Sequence, residues 1–244
     1  MRALVYLAVA VGMVGHVAVG AQAPTTQIAG FEVDFSGTYV GSRNPSVTEP
    51  DGYPFTAEGE RAHNAYDPLV QNYSQLDDCA EERVPTVLWS GNVSNMQVVQ
   101  EGATIELRYE QGGAVRTIHL DGAAPAADQA HTGLGYSVGR WEGEALTIET
   151  THLTGGALFK PRGYPLSRQT RITERYTRDA DNDLHMELLV DDPVNYTESL
   201  TFGREWIWSP DEQVLPYDCV SLGSRDSEPD IDELRQILNQ LEPR

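Results

Sequence analysis

Apolar and polar side chains alternate through much of this chain, most plainly from Gly135 to Thr151. A period of two is the mark of a strand with one buried face. Glu142-Gly143 interrupts the run as a two-residue turn, the glycine taking the positive φ that such turns favour. The spacing therefore predicts a hairpin, with 136–141 rising and 144–151 returning. In that register Tyr136, Val138 and Arg140 share a face with Thr147, Glu149 and Thr151. Gly139, Trp141, Leu146 and Ile148 form the opposite, apolar face.

The same pattern recurs on either side. Val33, Phe35, Gly37 and Tyr39 alternate with polar neighbours as a first strand. Residues 42–54 read as a surface loop, and Thr56 caps a short helix over 57–66 that stops at Asp67-Pro68. Further strands are expected at 84–89, 96–100, 104–109, 114–120, 170–178, 185–190, 197–208 and 214–219, with Gly112-Gly113 as a hairpin turn. Residues 121–131 and 153–166 are loops. The second is long enough for a lid over a barrel mouth, or for a plain connection. Ile231, Leu234, Leu238 and Leu241 fall at helical spacing and predict an amphipathic helix over 230–241. Roughly ten short strands without a βαβ rhythm indicate an all-β, antiparallel barrel or sandwich in one domain. The expected organisation is a leader at 1–21, a barrel domain at 22–222, and a polar linker with its helix at 223–244.

The N-terminus fixes the expected compartment. A positive start, a short apolar run and small residues ending at Ala21 describe a secretory signal peptide; a retained anchor is the alternative. The remainder is expected to be periplasmic or secreted. Formal net charge is −20, from 37 acidic and 17 basic residues. Such a surface repels phosphate backbones and anionic membranes, which argues against nucleic-acid binding and membrane insertion. Cys79 and Cys219 are the two cysteines. In an oxidising compartment an even pair is most simply a disulfide, worth up to about 4–5 kcal/mol for so long a loop. A metal pair or a reactive thiol are the other readings.

Familiar catalytic signatures are missing: there is no nucleophile elbow, phosphate loop, H-E-x-x-H or dinucleotide fingerprint. His119 and Asp121 would point the same way from a strand, but two ligands are too few for a metal, so neither metal nor cofactor is expected. Arg140 and Glu149 can pair diagonally on the polar hairpin face beside Tyr136. Exposed, they form an ordinary ion pair; enclosed, they are acid–base candidates. Glu174 alternates with Ile172 and Tyr176 and should point inward, where a carboxylate needs a partner; a structural salt bridge and catalysis both satisfy that need. Trp206 and Trp208 share a face, as ligand wall or as core. Asp191-Asp192-Pro193 reads as a turn whose carboxylates cap backbone amides.

The segments GYSVGRWEGEALTIETT, RITERYTR and VDDPVNYT, in this order, resemble a family of secreted bacterial proteins with no established activity. Its hallmark is close to G-Y-S-V-G-[RK]-W-E-G-D-x-L-V-[VI]-[ED]-T. RTIHLDG and TAEGERAHNAYD resemble other segments of that family, and both cysteines fall where it has them. The resemblance implies a lipocalin-like β-barrel, with FSGTY similar to the opening strand of such barrels. Two departures stand out. Tyr164-Pro165-Leu166 replaces a segment where relatives often carry histidine, and Val220-Ser221-Leu222 replaces an acidic or histidine-bearing tail. Both weaken any metal role.

Three readings follow. The first is an exported barrel binding a small, largely apolar molecule in its lumen. The second is a cofactor-free isomerase, cyclase, lyase or hydrolase using Tyr136, Arg140, Glu149, Glu174 and His119 with Asp121 in the same barrel. The third is an envelope protein that contacts other proteins. The direction of the polar hairpin face discriminates between them. Enclosed, it favours binding or catalysis; facing solvent, it favours contact.

Overall fold

The computed structural model of the chain describes residues 34–42, 52–67, 83–89, 95–158 and 162–217, together with Asp232, Arg235, Gln236 and Gln240. Eleven strands and two short helices are described in chain order: β1 (Gly37–Gly41), α1 (Ala57–Asn64), α2 (Thr86–Trp89), β2 (Asn95–Glu101), β3 (Thr104–Tyr109), β4 (Val115–His119), β5 (Tyr136–Glu142), β6 (Ala145–Thr151), β7 (Gly156–Ala157), β8 (Pro165–Leu166), β9 (Arg171–Arg178), β10 (Leu184–Asp191) and β11 (Leu200–Trp208). Nine of the strands close into a barrel in the order β1-β11-β10-β9-β6-β5-β4-β3-β2, with β2 returning to β1. Closure leaves the barrel sheet itself without an edge to protect.

Alternation sets the two surfaces of the wall. Met96, Val98, Ile105, Leu107, Ile118, Leu146, Ile148, Ile172, Met186, Leu188, Val190, Phe202 and Trp206 point into the lumen, and none is more than 3% exposed. The hairpin register matches the sequence reading: Tyr136 lies opposite Thr151, Val138 opposite Glu149 and Arg140 opposite Thr147. At one end of the barrel α1 docks onto the turn after β10. Thr56 caps it, its hydroxyl accepting from the Gly59 N–H (3.0 Å) and donating to the Val194 carbonyl (2.6 Å). A Cβ on Gly59 would stand 2.1 Å from the Asn195 carbonyl oxygen, so only glycine permits this approach. Rings of Tyr53, Phe55, His63, Tyr164 and Tyr196 stack beside α1, with Tyr53 and Tyr164 centroids 3.6 Å apart.

Several expectations are corrected. The barrel is mixed rather than wholly antiparallel, because β4 and β5 run parallel through Ile118–Ser137 and His119–Val138. Their connection, residues 120–135, is long enough for the crossover of about a dozen residues that parallel pairing requires. Residues 84–89 are not a strand. Pro85 has no N–H for a ladder, and Val84, Val87 and Leu88 are buried at the i, i+3, i+4 spacing of the helical turn α2. Of the strand expected over 214–219, the described residues 214–217 form none, and Leu215 and Tyr217 remain exposed. The 153–166 segment carries the small β7–β8 ladder, and the first strand begins at Gly37 instead of residue 33.

The expected leader at 1–21, Cys79 and Cys219 lie outside the described residues. So does most of 223–244, where Asp232, Arg235, Gln236 and Gln240 are helical and Arg235 pairs with Asp67. Among the described residues no helix is long and apolar enough to cross a membrane.

Candidate functional site

Charged chemistry collects in two places, inside the wall and outside it. Inside, β4 turns Arg116 into the lumen while Val115 faces out at 51% exposure. Arg116 meets Glu174 of β9 in a two-pronged pair, Nη1 to Oε2 at 3.0 Å and Nη2 to Oε1 at 2.6 Å. The guanidinium also donates to the hydroxyls of Ser137 (3.0 Å) and Thr150 (2.5 Å). Tyr176 donates to Glu174 Oε2 at 2.9 Å. Burial disfavours the charged guanidinium, but the charge and hydrogen bonds of Glu174 outweigh it, and its pKa ends above the ordinary value. Burial, and then the charge of Glu174, raises the Tyr176 hydroxyl well above its usual range. With side chains 2% and 0% exposed, Arg116 and Glu174 form a satisfied core network.

Glu174 thus points inward as the alternation indicates, and its partner is Arg116, which sequence reasoning did not single out. Trp206 is also part of this core, with the Arg204 guanidinium 4.3 Å over its ring. Arg204 donates to the Leu88 carbonyl (2.8 Å), and burial lowers its pKa. Trp208 packs edge-on against Tyr39 at 5.1 Å and covers Gly37, whose added Cβ would clash with it. Trp206 is fully enclosed in the core, and Trp208 is half-buried against it.

Outside, the polar hairpin face looks away from the lumen. Arg140 donates to Glu149 (2.8 Å) and to Glu142 (2.8 Å) with its side chain 52% exposed. Arg140, Glu149 and Tyr136 are therefore separated from Glu174 by the barrel wall, and the four do not make one site. Tyr136 stacks on His119 at 4.7 Å and donates to the Ala123 carbonyl (3.1 Å). Asp121 is exposed and caps the Ala123 N–H (3.0 Å); β4 ends at His119, so the strand period that would align the two side chains does not reach Asp121. Among the described residues, no group of three or more His, Cys, Asp and Glu is placed to hold a metal ion.

On the half of the outer face away from the turn, the 121–135 connection and the 167–171 segment border an open cleft of about 480 Å³, lined by Tyr136, Val138, Glu149, Thr151, His131, His152, Arg168 and Arg171 among others. His131 Nδ1 lies 2.8 Å from the Leu153 carbonyl, which can only accept, so Nδ1 is the donor. The His152 ring is 5.2 Å away, on a residue with φ 58°, a left-handed conformation that few side chains adopt. Glu149 is shared between Arg140 and Arg171, the latter at 3.6 Å.

Asp192 holds the turn that carries Arg168. Its carboxylate accepts from the Ser167 N–H (2.7 Å), the Ser167 hydroxyl (2.8 Å), the Thr170 hydroxyl (3.0 Å), the Val194 N–H (3.1 Å) and the Asn195 amide (2.8 Å). The capping role read from the Asp191-Asp192-Pro193 segment is thus met at Asp192. His131, His152, Arg168 and Arg171 had no common signal in the sequence, because three separate connections and the start of β9 bring them together. Comparison with protein-family models and with curated proteins finds no match for this chain.

Proposed function

We propose that this protein is an exported, lipocalin-like barrel that binds a small molecule in the cleft on its outer wall rather than in its lumen. The carrying observation is the contrast in room. The cleft of about 480 Å³ falls within the usual size of ligand sites. The lumen-facing side chains, by comparison, are at most 3% exposed because they fill the interior themselves. A cleft with Val138 and Pro125 beside polar groups suits an amphipathic ligand better than a wholly apolar one. The positively started apolar N-terminus supports export, and that compartment supports a Cys79–Cys219 disulfide.

Ligand-observed NMR with a fragment library tests the site. Hits should bind the parent protein and be lost in Val138→Trp, which fills the cleft, while persisting in Leu188→Val, a small change inside the lumen. Hits that survive Val138→Trp and vanish in the lumen variant would return the ligand to the interior. A second reading, contact with other proteins, is favoured by the exposed Arg140–Glu142–Glu149 cluster at the turn end of the hairpin. In that case Arg140→Glu should abolish cross-links formed through this face in cells while fragment binding is unchanged.

A further inference from the structure

Resting on the cleft reading, we propose that its ligand is a small organic monocarboxylate, its carboxylate held by Arg168 and its body lying over Val138 towards the His131–His152 pair. Arg168 lines the cleft and forms no ion pair with any described residue, although the chain carries 37 acidic residues against 17 basic. Arg171, close by, is 3.6 Å from Glu149, whereas Arg168 stands exposed at the cleft with its guanidinium available to a ligand. The lining has one more guanidinium than carboxylate, and so matches a ligand of single negative charge.

Three further features fit that ligand. A guanidinium presents two parallel N–H donors, the geometry that a carboxylate accepts. The turn bearing Arg168 is fixed from behind by Asp192 through Ser167 and Thr170, so its backbone is ordered before any ligand arrives. Glu149 already accepts from Arg140 at 2.8 Å, which tempers its repulsion of an incoming anion. At long range the net charge of −20 repels anions, so affinity has to be supplied locally, by contact with the Arg168 side of the cleft.

Isothermal titration of the full-length protein with benzoate and hexanoate, each paired with its neutral amide, tests this. At least one acid should bind about tenfold or more tighter than its amide, the range expected for a hydrogen-bonded charge. Arg168→Gln should remove that preference, with circular dichroism reporting an intact fold. Phenyl phosphate should bind more weakly than benzoate. Acid and amide binding equally, or Arg168→Gln leaving the preference intact, would overturn the carboxylate assignment while the cleft reading stands. Phenyl phosphate binding more tightly would overturn the single-charge argument. Failure of every probe, or binding that Val138→Trp does not disturb, would overturn the cleft reading with it.

Discussion

Glu149 on β6 and Glu174 on β9 are almost neighbours across the sheet, since Glu174 lies opposite Ile148 and Glu149 opposite Thr173. One step of register puts one carboxylate outside the barrel, 39% exposed, and the other inside, 0% exposed. Each is bonded to an arginine. The outer one accepts from Arg140, which also pairs with Glu142, and lies 3.6 Å from Arg171; the inner one holds Arg116 alone, with Tyr176 as a second donor. The two arrangements use the same chemistry and differ in what replaces them when a partner is lost. Outside, water does. Inside, nothing does.

The largest expected effect follows from that asymmetry. Glu174→Leu should destabilise the fold by about 3–5 kcal/mol, because Arg116 is left charged in the lumen without a counter-charge. Arg116→Met should cost about as much for the opposite reason. The double variant should recover most of the loss, since two apolar residues of similar volume need no compensation. Urea unfolding of the four proteins closes the cycle. Single variants costing less than about 1 kcal/mol would mean that the inner pair behaves like a surface one.

An intermediate effect is expected from the tyrosines of the interior. Burial pushes the Tyr39 hydroxyl up from 10 to about 12 and raises Tyr109 and Tyr176 as well. A folded pKa above the unfolded value, near 10, means that the contribution is fully present below about pH 10 and lost as pH rises through the folded value. Stability should therefore fall between about pH 10 and pH 12, the Tyr39 part being gone at the upper limit. Tyr176→Phe should cost about 1.5–3 kcal/mol at neutral pH, the loss of a hydrogen bond to a carboxylate, and make the alkaline fall shallower. Urea midpoints followed against pH check both. An unchanged slope in Tyr176→Phe would remove that hydroxyl from the account.

The difference between the two carboxylates also marks how far the sequence could be read. Glu174 was legible because Ile172 and Tyr176 flank it at strand period, and the hairpin register because Glu142-Gly143 fixes the turn. Arg116 was not. On β4 the hydropathy is inverted, with Val115 outside and Arg116 inside, and only a partner on β9, distant in sequence, makes that placement tolerable. The parallel β4–β5 pair was hidden for a related reason, since a long connection does not announce which way its second strand will run. Local alternation fixes a strand but not its neighbour. The cleft was illegible altogether: His131, His152 and Arg168 sit on connections whose relative positions are set by barrel closure and by the Asp192 hydrogen bonds, not by any pattern within them.

The smallest expected effect belongs to the outer face and completes the contrast. Arg140→Ala should cost under about 1 kcal/mol, because an exposed pair gains little over two hydrated charges and salt screens what remains. Hydrogen bonds from Arg140 and then Thr147 hold the Glu142 carboxyl below its ordinary value. A depressed folded pKa gives a contribution present above the unfolded value, near 4, and lost as pH falls through the folded one. The Arg140→Ala variant should accordingly differ from its parent at neutral pH in low salt, and converge with it both in about 1 M salt and in acid below about pH 3. The Glu174→Leu deficit should persist in high salt, because ions do not enter the filled lumen to screen Arg116. Equal salt sensitivity of the two variants would show that water reaches the inner pair, and the distinction between the two faces of the wall would fail there.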